Sequence, residues 1–436
     1  MNKLDELKKK AKRRALKLEK TGEKSYLGIL DEVGVSRPYQ RILTGILSFD
    51  YLIGGLKPGT VLEFSGEENA GKSTLVWKII ENIQNIYNKP AIHINDVEGT
   101  SSDEEFLDRF KLLKPQDIIF NIEPKIENYF NELEELADYL DIAVLDSVAV
   151  MSSVNDRDLE KSDMGKTAQT WSRGWKRVYD FVRKGMVILA INQVRDNLDP
   201  YASSKNGAQT TGGRALRHAK SAQIHLKKES KSKAIKKKNF MGEEEISAWE
   251  TVIEVQKNKQ GSAFKKVSTY LWTDPEIPET FDVIEEAITF GINYGVITRN
   301  SSKGSKYTFT NMLTGEIIKE INGRDALTKY FYETPLHFAF LKISVYRHMF
   351  NDKFFYGLYD KILLTAKADV FGISIKYGAK VDSTEEKLLE KFKKDMPIEV
   401  FFEKKALKEL KEKYGEPWTW GALPSNGGGE DDEKTS

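Results

Sequence analysis

Short apolar runs alternate with amphipathic stretches from about residue 41 to residue 273. The apolar runs predict buried β-strands at 60–65, 91–96, 118–122, 141–146 and 186–191. Between them, apolar residues recur at three- and four-residue spacing, which is typical of a helix with one buried face. Strands that alternate with helices in this way predict a mostly parallel sheet with helices on both faces.

Three more apolar runs follow without long helices between them, near 221–227, 250–256 and 266–272. They predict an antiparallel extension of the sheet, because antiparallel strands need only short connections. Before them, the pattern predicts a helix from Asp163 to Lys184 that ends at Gly185. Its tryptophans, Trp171 and Trp175, lie one turn apart, and we interpret them as core residues rather than as a base-stacking pair.

Both ends of the chain differ from this pattern. Residues 3–20 predict a lysine-rich helix, which is either a solvated arm or a segment that docks on a neighbouring subunit. After Pro275, a helix and a small hairpin predict a compact α+β domain, which an aromatic-rich segment (329–360) and a charged helix (384–413) extend. The last ten positions, 427–436, are glycine-rich and acidic and predict a flexible tail.

Composition narrows the chemistry. The chain has 436 residues and no cysteine, which excludes disulfides, thiolate zinc sites and cysteine nucleophiles. No apolar run is long enough to cross a membrane and the N-terminus lacks a signal-peptide core, so we expect a cytoplasmic protein without membrane partners. The net charge is only +1, so any contact with nucleic acid requires local basic patches. For the basic run 227–238, we favour a solvated hairpin tip over a DNA contact.

The strongest motif is Gly66–Ser73, which fits the spacing of a phosphate-binding loop. Its glycines let backbone N–H groups turn towards a phosphate, and the following helix directs its positive end at the same place. Lys72 would reach the β- and γ-phosphates, while the hydroxyl of Ser73 would bind Mg²⁺. A strand before the loop and a helix after it give the order that the motif requires.

Polar side chains stand where three of the predicted strands end. Asp146 follows an apolar strand and is placed to order Mg²⁺ beside the loop. Glu98 follows another strand and either polarises the water that attacks the γ-phosphate or only caps the next loop. Gln193 leaves the sheet as an amide that both donates and accepts, so it is suited to sense the γ-phosphate.

The order of these motifs resembles the RecA recombinase family, over roughly residues 40–275. The motifs are the phosphate loop, Asp96–Glu98, Leu145–Ser147, Asp163–Gly165, Ile191–Arg195, Thr211–Gly213 and Lys257–Lys259. The resemblance implies a RecA-like α/β ATPase core of the phosphate-loop class, with an N-terminal helix and a smaller α+β C-terminal domain. It divides the chain into a polymerisation helix with linker (1–38), the ATPase core with DNA-binding loops (39–275), the C-terminal domain (276–426) and the acidic tail (427–436).

The resemblance also implies an ATP-dependent recombinase that polymerises on single-stranded DNA and exchanges strands with a homologous duplex. Glu98, Lys72 and Gln193 would then be catalytic, and Ser73 and Asp146 would hold Mg²⁺. The ATP-binding residues would be Gly66, Glu67, Glu68, Asn69, Ala70, Gly71, Lys72, Ser73, Thr74, Phe106 over the adenine, Asp146, and Lys257 and Lys259 from the adjacent protomer. The DNA-binding residues would be Met164, Arg173, Lys176, Arg195, Gly212, Gly213 and Arg214, in or near two loops at 152–165 and 195–212.

One departure and two rival functions remain open. Gln169 stands where the bacterial pattern usually has arginine, so the phosphate contact of that arginine is either lost or moved, and Arg173, Lys176 and Arg177 could supply the charge instead. A hexameric helicase of the same fold is one alternative, although the N-terminal helix and Thr211–Gly213 argue against it. A recombination mediator that binds ATP without hydrolysing it is the other.

Overall fold

The structure is a computed structural model, and it describes most of the chain. The described residues are 9–10, 13, 41–99, 101, 103–154, 164–183, 185–195, 209–210, 213–239, 241–259, 261–274, 280–300, 306–311, 314–377 and 385–414. The chain divides into two compact units, residues 1–40 and 41–436. In the first unit, Lys9, Lys10 and Arg13 are described, and all three are helical and exposed. The predicted linker and acidic tail lie outside the described residues, so the four-part division stays a proposal.

Thirteen strands are described from residue 41 onwards. They are β1 (Val61–Gly66), β2 (Ile92–Asp96), β3 (Ile118–Asn121), β4 (Ile142–Asp146), β5 (Val187–Arg195), β6 (Gln209–Thr210), β7 (Ala222–Lys228), β8 (Ile235–Lys238), β9 (Glu244–Asn258), β10 (Lys266–Trp272), β11 (Ile297–Asn300), β12 (Lys306–Thr310) and β13 (Ile317–Asn322).

Twelve α-helices are described in the same part of the chain. They are α1 (Leu47–Ile53), α2 (Lys72–Ile86), α3 (Glu104–Leu107), α4 (Ile126–Leu136), α5 (Met164–Arg183), α6 (Gly213–Ala219), α7 (Val283–Asn293), α8 (Arg324–Glu333), α9 (Pro335–Met349), α10 (Asp352–Tyr377), α11 (Glu385–Asp395) and α12 (Lys404–Tyr414).

The main sheet confirms the predicted architecture. Its strand order is β10-β9-β7-β1-β5-β4-β2-β3, with β6 paired to β5 and β8 paired to β9. All neighbours from β7 to β3 in this order are parallel, whereas β8, β9 and β10 pair antiparallel. The prediction was therefore wrong for β7, which belongs to the parallel set. Its crossover helix α6 has only seven residues, too few to show a clear helical period in the sequence.

Helices cover both faces of this sheet, and the side chains of β4 show why. Ile142 and Val144 belong to one apolar cluster, which includes the buried face of α2. Ala143 and Leu145 belong to a second cluster, with residues of α4 and α5. Successive residues of a strand point to opposite faces, so a continuous apolar run packs on both sides at once.

The two tryptophans of α5 lie in that second cluster, as predicted. Trp171 and Trp175 are each 1% exposed, and their rings stack with centroids 5.9 Å apart. Phe130 of α4 packs edge-on against both. A Cβ at Gly174, which lies between them on α5, would overlap the Phe130 ring, so a glycine is needed for this close packing.

A third apolar cluster combines the C-terminal part with Leu43 and Leu47, and this part contains more helix than the sequence indicated. Helix α7 and the antiparallel sheet β11-β12-β13 match the predicted helix and hairpin, with one strand added. The aromatic-rich segment forms α8, α9 and the 26-residue helix α10. The charged segment is two helices, α11 and α12, because Pro397 follows α11 and cannot donate to a continuing helix.

Buried polar bonds join α9 to the chain segment in front of α1. Asp50 accepts hydrogen bonds from Thr44 (N, 3.0 Å; Oγ1, 2.9 Å), from Gly45 N (3.1 Å) and from the hydroxyl of Tyr346 on α9 (2.8 Å). The Lys342 ammonium, also on α9, donates to Gly45 O (2.8 Å) and pairs with Asp369 of α10. Each of these groups is buried away from water, so its polar atoms depend on these hydrogen bonds, and the bonds hold α9 against α1 and the residues before it.

Glu286 of α7 is a buried acceptor between α1 and β10, and its burial makes the stability of the protein depend on pH. It accepts hydrogen bonds from Ser48 and from Thr269 (3.3 Å), and burial raises its pKa to about 7. Near neutral pH the folded protein therefore holds a proton that the unfolded chain has lost. This stabilisation is complete below the ordinary pKa of 4.5 and is lost as the pH rises through about 7.

We expect Glu286→Gln to remove this dependence, because the amide keeps the acceptor oxygen and does not titrate. Wild-type protein should lose about 1 kcal/mol more stability than the variant between about pH 6 and about pH 8. Urea unfolding at both pH values measures this difference. Glu243→Gln, at an exposed carboxylate, is the control, and equal pH dependence in wild type and Glu286→Gln would contradict the expectation.

Candidate functional site

The predicted phosphate loop lies between the end of β1 and the start of α2. Gly66 and Gly71 have φ angles of 152° and 89°, in a region that side chains disfavour. A Cβ at Gly66 would overlap the carbonyl oxygen of Leu226, and one at Gly71 would overlap the Leu271 side chain. Both positions therefore need glycine, and the loop packs closely against β7 and β10.

The side chain of Lys72 turns back into this loop. Its Nζ donates to Gly66 O (3.1 Å) and Glu67 O (2.7 Å), and the residue is only 8% exposed. Burial lowers the pKa of Lys72, while the carboxylates of Glu98 and Asp146 oppose that shift. The ammonium of Lys72 is thus held by two neutral carbonyl groups. A phosphate oxygen is charged and is a stronger acceptor, so it would take their place.

Asp146 and Ser73 meet beside the loop. The hydroxyl of Ser73 donates to Asp146 Oδ2 (2.7 Å), while Asp146 Oδ1 is buried and has no hydrogen-bond partner. Burial raises the pKa of Asp146 to about 7, and the carboxylates of Glu98 and Asp96 add to the rise. An orphaned buried carboxylate oxygen next to a serine hydroxyl suits a hard cation such as Mg²⁺, which takes oxygen ligands and would lower this pKa again.

Glu98 lies at the same edge of the sheet and is exposed. Its Oε1 accepts hydrogen bonds from the Ser147 hydroxyl and from Gln193 Nε2 (3.0 Å). Gln193 pairs with Gly66 across β5 and β1, so the amide lies next to the start of the phosphate loop. The structure therefore brings Glu98, Gln193 and Asp146 together. It also shows that Ser147, for which the sequence predicted no separate role, donates to Glu98.

Asp96, the other acidic residue of this segment, has a structural partner set. It accepts hydrogen bonds from Gly99 N (2.9 Å) and from the backbone N (2.7 Å) and hydroxyl of Ser101. It is 1% exposed and lies across from Asp146 in the register of β2 and β4. Asp96 thus fixes the turn that carries Glu98, and the N-cap of α3, the next described helix, is Asp103.

Phe106 lies on the short helix α3 and contacts two other aromatic residues. Its ring centroid is 6.3 Å from that of Trp77 on α2 and 5.3 Å from that of Phe110. Phe106 is half-buried, whereas Trp77 and Phe110 are buried. The structure therefore leaves part of one aromatic ring open beside the helix that starts at the loop.

The two predicted trans-acting lysines bind the end of α6. Lys257 Nζ donates to Arg217 O (2.5 Å), and Lys259 Nζ donates to His218 O (2.6 Å). These are carbonyl groups of the last turn, where a helix attracts cations. Lys257 lies in β9 and Lys259 directly follows the end of that strand, and the described hydrogen bonds of both go to α6 and not to the phosphate loop.

The predicted DNA-binding residues are only partly described. Arg173 and Lys176 are exposed on α5, but Arg177 binds Asn131 (2.9 Å) and Glu134 of α4 and is held against that helix. Met164 begins α5, Arg195 ends β5, and Gly213 and Arg214 begin α6. Gly212 and the loop positions 155–163 and 196–208 lie outside the described residues.

The basic run 227–238 is partly compensated by carboxylates, and it is not a simple hairpin tip, because it includes a 3₁₀ turn (Lys231–Lys233) and β8, which pairs with β9. Lys233 pairs with Glu229 and Glu250, Lys236 with Glu244, and Lys237 with Asp274. Lys228 lies over the ring of Trp249, 4.5 Å from its centroid.

The α/β sheet, with polar residues from β1, β2, β4 and β5 gathered at one edge, is a RecA-like core. Comparison with known proteins agrees: the profile of the RecA N-terminal domain matches residues 16–275, which is more than half of the chain. The chain belongs to the RecA family. It is 29% identical to Protein RecA of Ureaplasma parvum over 293 residues, which cover 65% of this chain and 82% of that protein.

Two further relatives match a larger share of the chain. Protein RecA of Cytophaga hutchinsonii is 29% identical over 329 residues, covering 73% of this chain and 84% of its own. Protein RecA of Legionella pneumophila is 25% identical over 386 residues, covering 84% of this chain and 99% of its own. Family membership implies a RecA-type recombinase and an ATPase that uses ATP and Mg²⁺. Among the described helices, none has the length and apolar character needed to cross a bilayer.

Proposed function

We propose that this protein is an ATP-dependent DNA recombinase of the cytoplasm, acting in DNA repair and the SOS response. It polymerises on single-stranded DNA and catalyses homologous pairing and strand exchange, with ATP hydrolysis stimulated by DNA. The observation that carries the proposal is the position of Glu98. Its carboxylate is exposed, held by Ser147 and Gln193, and placed at the sheet edge where the phosphate loop begins.

The loop residues Gly66–Thr74 would bind the phosphates of ATP. Lys72 would exchange its two loop carbonyls for β- and γ-phosphate oxygens, and Ser73 and Asp146 would hold Mg²⁺. Mg²⁺ bound by these two residues would supply positive charge beside the phosphate oxygens. Phe106 would contact the adenine with the open part of its ring.

Glu98 would accept the proton of the attacking water, and Gln193 would respond to the γ-phosphate. The hydrogen bond from Gln193 Nε2 to Glu98 Oε1 (3.0 Å) supports a link between these two proposed roles. Beyond Gln193, Val194 and Arg195 pair with Thr210 and Gln209, so β5 and β6 join the amide to both ends of the second DNA-binding loop. A change at Gln193 would therefore move the base of that loop.

DNA phosphates would bind near this loop and near the start of α5. Met164, Arg173, Lys176, Arg195, Gly212, Gly213 and Arg214 are the proposed contacts. Basic side chains supply most of the affinity for a phosphate backbone, and glycines allow the chain to approach it closely. The exposure of Arg173 and Lys176 supports their part in this surface.

Self-assembly has support from the outer edge of the main sheet. β3 is one edge strand of this sheet. Ile119 and Phe120 of β3 are 50% and 46% exposed, and Ile122, just after it, is 62% exposed. An apolar edge strand with unpaired backbone groups is suited to pairing with another chain. We propose that a second copy covers it in a helical filament.

In such a filament, Lys257 and Lys259 would act on the ATP of the neighbouring protomer. We expect a mixture of two inactive proteins, Lys72→Ala and Lys257→Ala/Lys259→Ala, to recover part of the DNA-stimulated ATPase. Mixed interfaces pair an intact phosphate loop with intact lysines, and charge supplied in trans stabilises the transition state. The measurement is ATP turnover at a fixed total concentration and varied mixing ratio.

The matched control mixes Lys72→Ala with a triple variant that carries all three substitutions, since no interface there is complete. Filaments shown to be mixed but with no more turnover than this control would count against a shared site.

The function as a whole is tested by ATP hydrolysis with and without single-stranded DNA, together with a strand-exchange assay and electron microscopy. Stimulated hydrolysis, helical filaments and joint molecules are expected. Closed rings would indicate a hexameric motor instead. Filament remodelling without hydrolysis would indicate a mediator.

A further inference from the structure

A buried ion pair joins β1, in the middle of the main sheet, to the residue that follows α6. Glu63 of β1 and Lys220, the residue after α6, are 0% and 3% exposed, and their charged groups are in contact. Lys220 Nζ also donates to Gln223 Oε1 of β7 (2.6 Å), and Asn192 Nδ2 of β5 donates to Glu63 Oε1 (2.8 Å). We call Glu63, Asn192, Lys220 and Gln223 the buried polar network.

This network contacts three parts of the proposed mechanism. Asn192 directly precedes Gln193, and both residues lie on the strand that pairs with β1 beside the phosphate loop. Lys220 follows the last turn of α6, and its backbone N donates to Leu216 O (2.9 Å). α6 begins at Gly213, in the proposed DNA-binding surface.

The third part is the pair of trans-acting lysines. Gln223 lies across from Lys257 in the register of β7 and β9. Lys257 in turn binds the Arg217 carbonyl in α6. The end of α6 is therefore joined to the buried polar network through Lys220, which follows it, and to β9 and the residue after it through Lys257 and Lys259.

Stability alone gives little reason for charges at this place. Two charges lose their hydration when they are buried, and apolar residues of similar volume often give an equally stable core. What an ion pair with fixed hydrogen bonds provides is a single position for the groups that carry it. Here those groups are the end of α6, β1 and β5.

We propose that Lys220 is a positioning residue that, through Glu63 and Asn192, couples the position of α6 on DNA to Gln193 at the ATP site. Its side chain is 3% exposed, so the role proposed for it is to position other groups and not to bind ATP or DNA itself. DNA bound at the start of α6 would set the position of its last turn, and the network would pass that position to Gln193 and Lys257. This coupling rests on the proposed function, because it explains how DNA would stimulate hydrolysis.

The test is a double variant, Lys220→Met with Glu63→Gln, which removes both charges together and leaves no buried charge unpaired. The amide at position 63 still offers an oxygen to Asn192. We expect the ratio of ATP turnover with single-stranded DNA to turnover without it to fall on the order of tenfold. The loss should be in kcat, while KM for ATP, basal turnover and single-stranded DNA affinity change by less than about threefold.

The control is a second buried lysine–carboxylate pair, Lys342 and Asp369, in the C-terminal helices. Lys342→Met with Asp369→Asn should alter thermal stability in a similar way and leave the DNA stimulation ratio unchanged. Should the first double variant fail to fold, Gln223→Leu decides the matter. It keeps the ion pair but removes the bond from Lys220 to β7, and it should still lower the ratio.

A folded double variant with the full stimulation ratio would overturn the coupling and leave the recombinase function standing. An equal loss in the Lys342/Asp369 control would overturn it as well, since the effect would then be one of general stability. An unchanged ratio in Gln223→Leu counts the same way if it is the variant used. Wild-type protein that hydrolyses ATP without any response to DNA would refute the proposed function, and the coupling with it.

Discussion

Lys72→Ala is expected to give a folded protein that has lost ATP turnover and strand exchange. Lys72 donates only to two carbonyl groups of its own loop, so its removal leaves no buried carboxylate without a partner. The γ-phosphate, in contrast, would lose a positive charge held in a site of low dielectric. Loss of one such group typically lowers kcat by about 10²–10³-fold, and weaker nucleotide binding would add to this.

Steady-state ATP hydrolysis and the binding of a fluorescent ATP analogue measure the two effects separately. The control is Lys78→Ala, which removes a lysine from the same helix where it pairs with Glu81 (2.6 Å). A thermal melt confirms that both variants are folded. Wild-type turnover in Lys72→Ala would mean that the loop is a structural turn and would remove the basis of the proposed function.

Glu98→Gln is expected to bind ATP normally and to form filaments that persist, with hydrolysis reduced by about 10²–10⁴-fold. The amide keeps the oxygen that accepts the hydrogen bonds of Ser147 and Gln193, so the local geometry is preserved. What it cannot do is take a proton from water. The variant therefore separates the chemical step from nucleotide binding and assembly.

Single-turnover hydrolysis on preassembled protein is the most direct measurement, because it does not depend on product release. Glu105→Gln removes an exposed carboxylate from α3 and should have wild-type rates. Normal hydrolysis in Glu98→Gln would show that Glu98 only anchors Ser147 and Gln193.

The parts of the site that the sequence predicted are those that local motifs define. Gly66 to Ser73 are consecutive, and their strand–loop–helix context is adjacent in the chain. Asp146, Glu98 and Gln193 could be grouped because parallel strands end at a common edge. The structure confirms that grouping in space, while their catalytic roles stay proposals.

The parts that the sequence did not predict depend on distant partners. Glu63 and Lys220 are 157 positions apart, and a lone carboxylate within an apolar strand gives no sign of its partner. The sequence suggested that Arg177 could contribute charge for DNA binding, but it did not show that Glu134 of α4 pairs with this arginine. The charged C-terminal segment was predicted as one helix because its lysines and glutamates favour helix throughout. The structure divides it into α11 and α12 at Pro397.

The contact between the C-terminal helices and α2 has a further consequence. Gly45, at φ 76°, lies against Asn82 and Ile86 of α2 and against Thr365 of α10. Lys361 of α10 lies over the ring of Tyr87, 5.1 Å from its centroid. The far end of α2, the helix that starts at the phosphate loop, is therefore covered by side chains of α10, which lies in the C-terminal part of the chain. A chain cut near residue 320 would lack α10 and would therefore expose that end of α2 to solvent.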